Sequence, residues 1–177
     1  MRTLPGGKTV FAVAVLGLIA IIARTQPRTI HAVPPDSIQF YGSPQSPIAG
    51  GVSVPPGTAL LFTSGTPPPV ADKAAAAGTR ARFGDTKTQG EGILKALQTQ
   101  LTEKGLSLKD VIYLRVYVVP DSLKGNKPDF EGWFAAYAEF FNTAANPTKA
   151  ARSTISVPGL VNPDWLIEIE AVAAYPK

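Results

Sequence analysis

ARSTISV (residues 151–157) and WLIEIEAVAA (165–174), joined by PGLVNPD, decide how this chain is read. Both are rich in β-branched and aliphatic residues and are bounded by turn formers, so both read as strands. Yet one carries a guanidinium and the other two carboxylates, in a chain where only 17% of residues are charged. Strand side chains alternate between faces. Arg152, Thr154 and Ser156 therefore share one face, and Ser153, Ile155 and Val157 the other. In the second stretch Ile167, Ile169 and Ala171 share one face, and Leu166, Glu168, Glu170 and Val172 the opposite one. If the apolar sets pack on helices, Arg152 and Glu168 both point away from them.

Upstream, PDFEGWFAAYAEFFN (128–142) reads as a helix. Its aromatic stripe of Phe130, Trp133, Phe134, Tyr137, Phe140 and Phe141 is the pattern of a core face. VIYLRVYVV (111–119) reads as a strand that Pro120 closes. TKTQGEGILKALQTQLTEKG (86–105) is a helix with Ile93, Leu94, Leu97 and Leu101 on one face, Asp85 or Thr86 as its cap, and Gly105 at its end. Gly90 and Gly92 each cost about 1 kcal/mol against alanine inside a helix. Their presence implies close approach of another element, or a frayed start. SIQFYG (37–42), GVSVPPG (51–57) and TALLFTSG (58–65) read as strands. TPPPVADKAAAAGTRARFGD (66–85) is a long loop with room for one helical turn at 74–77.

The order β, β, β, α, β, α, β, β predicts an α+β domain: a mixed sheet with two helices on one face. The other face would meet water as a wide apolar patch unless something covered it. No further helix is available, so a second copy of the chain is the expected cover.

The length of 177 residues suggests one domain plus extra sequence, and 45% hydrophobic residues supply a core. The first 32 residues hold four of the 17 basic side chains (Arg2, Lys8, Arg24, Arg28) and none of the 13 acidic ones, so the remainder carries no net charge. Phosphate binding draws on clustered Lys and Arg; only Arg80, Arg82 and Lys87 approach a cluster, and nucleic acid is not an expected partner. The chain has no cysteine, and its one histidine, His31, lies in the leader. Thiolate chemistry, a Ser-His-Asp triad and a His-ligated zinc are therefore excluded from the folded part. Acid–base work falls to carboxylates, Lys, Tyr or the substrate.

VFAVAVLGLIAIIA (10–23), with basic residues before it, fits a signal-peptide core and falls short of the roughly 20 residues of a spanning helix. Ala32 is the candidate cleavage point. Residues 1–32 are thus expected to be a signal peptide or, uncleaved, an N-terminal membrane anchor, giving an exported (periplasmic or extracellular) or tethered protein.

Arg152 and Glu168 admit two readings. One is a structural salt bridge at a subunit interface. The other is a site, in which the planar guanidinium grips a carboxylate in bidentate fashion and the glutamate positions or deprotonates a water.

ARSTISV followed by WLIEIEAVAA, and preceded by YAEFF and FTSG, resembles the Rid family, also called YjgF/YER057c/UK114, over residues 37–177. The resemblance implies a chorismate-mutase-like fold of the bacillus type, a homotrimer, and sites at the subunit interfaces. It implies hydrolysis of reactive 2-imino and enamine acids to 2-keto acids and ammonia, without metal or organic cofactor. It assigns Arg152 to the substrate carboxylate and Glu168 to the attacking water. Ser64 and Gly65 would border the pocket, and Thr154 would stand where many members have a cysteine. Two positions depart from the family: Ile48 replaces the tyrosine of a G-P-Y motif, and Phe134 replaces an asparagine in the second helix. The alternative from another class is a non-catalytic trimer that binds small carboxylates or protein partners. Ribonuclease activity and a chorismate-mutase-type pericyclic reaction are the remaining alternatives.

Overall fold

The computed structural model describes residues 34–176; the expected leader at 1–32 lies outside them. The strands are β1 (Gln39–Tyr41), β2 (Gly51–Ser53), β3 (Leu60–Phe62), β4 (Val111–Val118), β5 (Pro120–Asp121), β6 (Lys127–Pro128), β7 (Ala151–Ser156) and β8 (Ile167–Ala174). The helices are α1 (Thr86–Thr102) and α2 (Phe130–Phe140).

The principal sheet has the order β3-β8-β4-β7. β8 runs antiparallel to β3 and β4, and β4 runs parallel to β7, so the sheet is mixed as expected. β1 and β2 form a separate hairpin. The two-residue strands β5 and β6 form another, which the sequence reading did not anticipate. Two residues are too short for any periodicity to register.

Alternation selects the buried face. Leu114, Val116 and Val118 of β4 and Ile167, Ile169, Ala171 and Ala173 of β8 are buried, and they join Ile93, Leu94, Leu97 and Leu101 of α1 in one core. Fully burying such a side chain contributes about 1.5–3 kcal/mol. α2 adds Trp133 and Tyr137, and its C-cap residue adds Phe141; the rings of Tyr137 and Phe141 stack at 4.8 Å. The α2 stripe is therefore largely core, as expected, while Phe134 stays exposed.

The glycines of α1 mark close approach. A Cβ on Gly90 would stand 3.1 Å from Ala136 Cβ, and one on Gly92 2.9 Å from the Pro69 ring. Gly90 thus seats α2, and Gly92 seats the proline loop. Asp85 caps α1 by accepting from Thr88 N at 2.9 Å. Leu106 N returns to Leu101 O at 2.9 Å past Gly105, whose φ of +73° suits a residue without a side chain.

Residues 74–77 form no helical turn; a single 3-10 turn lies at Arg80–Arg82 instead. Asp72 Oδ1 accepts from Ala74 N, and Arg82 Nη1 donates to Ala75 O, both at 2.8 Å. These side chains compete with the backbone bonds a helix needs. The same loop is fastened by Arg80, whose guanidinium forms a bidentate pair with fully buried Asp121. Gln89, also buried, donates to Gly84 O at 3.1 Å and Asp164 O at 3.0 Å and accepts from Leu166 N at 2.7 Å. One side-chain amide thereby ties α1 to the entry of β8.

Candidate functional site

The register of β7 corrects one expectation. Arg152 lies level with Leu114, and Thr154 with Val116, so both are on the helix face of the sheet. Ile155 lies level with Tyr117 on the other face and is half exposed. The sequence reading placed these the opposite way round. Its premise was that the apolar set, Ile155 and Val157, packs on the helices. Here the open face carries Phe62, Leu60 and Ile155 as well, so apolarity does not say which face meets the helices.

α2 receives the arginine. The Arg152 guanidinium carbon lies 4.4 Å from the ring centre of Tyr137, 4.6 Å from that of Phe134 and 5.5 Å from that of Trp133. Ring quadrupoles attract a cation at these distances. Rings supply no acceptor, however, and Arg152 Nη1 is buried with no hydrogen-bond partner among the described residues. Burial pulls the guanidinium below the usual arginine range, with the Tyr137 hydroxyl partly opposing it. Leaving a buried donor of this kind unmade costs about 1–3 kcal/mol or more. Arg152 also lines a cleft of about 470 Å³ between the β1–β2 hairpin and the starts of β4 and β7, together with Tyr41, Gly51, Tyr113 and Ser153. Two residues along the strand, Thr154 Oγ1 accepts from Trp133 Nε1 at 3.3 Å.

Glu168 sits elsewhere. It lies level with Tyr117 on the open face, across β4 from β7. Arg152 and Glu168 of one chain therefore occupy opposite faces of the sheet, and no salt bridge joins them. Glu168 is instead placed against the end of β3. Thr66 pairs with Ile169 through N–H···O bonds of 2.9 and 3.3 Å, which brings Gly65 against the Glu168 side chain. A Cβ on Gly65 would overlap the Glu168 carboxylate. Ser64 is exposed beside it. The five expected site residues thus fall into two groups: Arg152 with Thr154, and Glu168 with Ser64 and Gly65.

The rest of the open face is polar in the middle and apolar at its edges. Arg115 Nη1 donates to Glu170 at 2.6 Å, Tyr117 OH donates to the same carboxylate at 3.1 Å, and Tyr113 OH and Ser153 Oγ share a bond of 2.6 Å. The second carboxylate of the EIEA stretch is therefore taken up by its own chain. Phe62 is 68% exposed at one edge.

Trp133, Phe134 and Tyr137 are the site residues that sequence reasoning missed. Their signal was present as the aromatic stripe, but a stripe at helical spacing is what a core face also requires. The basic cluster dissolves on inspection: Arg80 pairs with Asp121, Arg82 with loop carbonyls, and Lys87 with Glu91 and Glu139. Among the described residues no group of three or more His, Asp or Glu is placed to hold a metal ion, and no helix is long and apolar enough to cross a membrane.

The family model described as Endoribonuclease L-PSP matches residues 53–175. The chain belongs to this family, the Rid or YjgF/YER057c/UK114 proteins. A RutC family protein of Pyrococcus horikoshii is 37% identical over 90 residues, which cover 51% of this chain and 63% of that protein. The chain thus spans under two thirds of this relative's length. The crystal structure of the Rid protein YyfB from Yersinia pestis superposes with a TM-score of 0.59 at 25% identity, covering 78% of this chain and 99% of the other. That of Escherichia coli TdcF with bound serine gives 0.52 at 25% identity over 78% and 99%. The mixed sheet with two helices is the fold of the Rid proteins, a family that includes enzymes with deaminase activity. Arg152 and Glu168 stand in the last two strands of the matched region, and Ile48 falls before its start.

Proposed function

We propose that this Rid protein hydrolyses small 2-imino acids, or their enamine tautomers, to 2-keto acids and ammonia. The observation that carries the proposal is the buried Nη1 of Arg152, which has no hydrogen-bond partner among the described residues. A guanidinium desolvated without an acceptor is stabilised by a ligand carboxylate, which supplies two. Serine in the TdcF crystal is a ligand that bears such a group.

Arg152 and Glu168 lie on opposite sheet faces, so a site containing both draws them from two copies of the chain. A homotrimer in which the β7 edge of one copy meets the open sheet face of the next would bring the two together and cover Phe62 and Ile155. In the reaction, Arg152 holds the carboxylate of the iminium form. Water adds to the iminium carbon and passes a proton to Glu168. The resulting carbinolamine takes that proton on nitrogen. The C–N bond then breaks as Glu168 takes the hydroxyl proton and the carbonyl forms; the departing ammonia picks up that proton and leaves as ammonium. The protonated imine is already electrophilic, so positioning supplies much of the rate gain. Neither histidine nor metal is required.

The test has two parts. An amino-acid oxidase generates the imino acid, and its decay is followed with and without protein. Acceleration that Arg152→Ala and Glu168→Gln each abolish supports the reading. Mixing the two inactive variants, after dissociation and reassembly, regains part of the activity when the site spans two copies. No acceleration with any imino acid would remove the enzymatic reading.

A second reading, a trimer that only binds carboxylates, is favoured by Ile48. That side chain packs against the core and presents no hydroxyl where family members have tyrosine. Saturable binding of a keto acid without turnover distinguishes it. The segment 1–32 is proposed as an export signal or tether, which N-terminal sequencing of protein from native cells would test at Ala32.

A further inference from the structure

We infer that Trp133 is a positioning residue: it orients the Thr154 hydroxyl as a second donor beside Arg152 in the anion site. The inference rests on the carboxylate-binding part of the proposal above, and its test does not need turnover.

Trp133 is fully buried, and an indole nitrogen is a donor only. Its one partner among the described residues is Thr154 Oγ1, at 3.3 Å. A hydroxyl has one proton and two acceptor positions. With the indole N–H directed at an acceptor position, the hydroxyl proton turns away from Trp133. No acceptor among the described residues takes it. Thr154 is half-buried and stands two residues from Arg152 on the same face of β7. The face of the same indole lies 5.5 Å from the Arg152 guanidinium. One rigid, buried side chain thus touches both polar groups: its ring supports the cation, and its edge sets the polarity of the hydroxyl. What remains is a pair of donors, Arg152 Nη1 and the Thr154 hydroxyl, that lack acceptors on a common face. A small anion with several oxygens, the carboxylate of a 2-keto or 2-imino acid, matches that demand.

The readout is the indole N–H resonance. The chain has two tryptophans, so a Trp165→Phe background leaves Trp133 as the sole signal in a nitrogen-15 spectrum. Thr154→Val is expected to move that resonance in the free protein, and Thr154→Ser to leave it nearly in place. Titration with pyruvate or 2-oxobutanoate, which are stable, is expected to shift it saturably. In Thr154→Val the apparent affinity falls about tenfold, the size of one hydrogen bond to a charged group. Trp133→Phe keeps a ring beside Arg152 and removes the N–H, and it is expected to weaken binding as much as Thr154→Val. The double variant should lose no more than either single one.

Additive losses in the double variant, or full affinity in Trp133→Phe with lost affinity in Thr154→Val, would overturn the inference. A Trp133 resonance that ignores a keto acid which other resonances report as bound would do the same. If Trp133→Phe fails to fold, the Thr154→Val and Thr154→Ser pair still decides through the indole signal. Saturable binding with the expected losses in Thr154→Val, Trp133→Phe and their double variant, but without imino-acid hydrolysis, removes the deaminase reading and supports the positioning role. A chain that binds no keto acid removes both.

Discussion

The substitution Gly65→Ala separates catalysis from folding. Gly65 does not have a positive φ, so alanine meets no backbone strain there. The obstacle is the Glu168 side chain: the new methyl would lie 2.8 Å from its carboxylate carbon. Ordinary contact at 3.4–4 Å is recovered only when that carbon moves by about 1 Å and the nearer carboxylate oxygen by more than that. Rotation of a half-buried glutamate accomplishes this without disturbing the core, so stability changes by no more than about 1 kcal/mol. A displacement of about 1 Å in a group that positions the attacking water costs about 100-fold in rate. The assay follows decay of oxidase-generated imino acid, with thermal melting in parallel. The expected result is a loss of about 100-fold in kcat, with a melting temperature within a few degrees of the parent. Unchanged kcat in a folded Gly65→Ala protein would show that the Glu168 carboxylate does not act from the position described. A collapse of the fold would show that Gly65 serves packing alone.

Three further outcomes are expected. Asp121→Ala leaves Arg80 without its carboxylate and is expected to lower unfolding stability by about 3 kcal/mol in urea, while Arg80→Ala with Asp121→Ala together loses less. Burial raises the Tyr137 hydroxyl from 10.0 to about 12, so above pH 10 the native state holds a proton that the unfolded chain has released. Stability is therefore full below about pH 10 and is lost between there and about 12, by about 2–3 kcal/mol, and Tyr137→Phe removes this contribution in urea titrations across that range. Phe62→Asp, at a position 68% exposed on the open sheet face, is expected to convert the proposed trimer to monomers in sedimentation velocity; an unchanged sedimentation coefficient would remove this face as the contact surface.

Much of the fold was legible because long elements repeat their signals. Helix α1 was readable from Ile93, Leu94, Leu97 and Leu101, and β8 from the alternation of Ile167, Ile169 and Ala171, since each had one wet side and one dry side. Even the two helix glycines announced their role, because glycine in a helix is unfavourable without a neighbour that needs the space. The facing of β7 was not legible. A strand at the edge of a sheet whose two faces are both partly apolar offers no contrast between them, and its register with β4 is a long-range fact. A rule that sends charge outward also fails for arginine, whose flat, weakly hydrated head packs between rings more readily than an ammonium does. The candidate residues were therefore identified singly, but their division into two groups could only emerge from the pairing of β7, β4 and β8.

The amide of Gln89 has a bearing on how this molecule could diverge. The turn from Pro158 to Pro163 runs out to Val161, which is 93% exposed, yet β8 does not depend on that turn for its starting point. A helix side chain grips the backbone at Asp164 and Leu166, upstream of the acid. Lengthening or rewriting the turn would reshape the protein's rim while Glu168 kept its station. Sequence change can accumulate there in small steps, with the placement of Glu168 carried along intact.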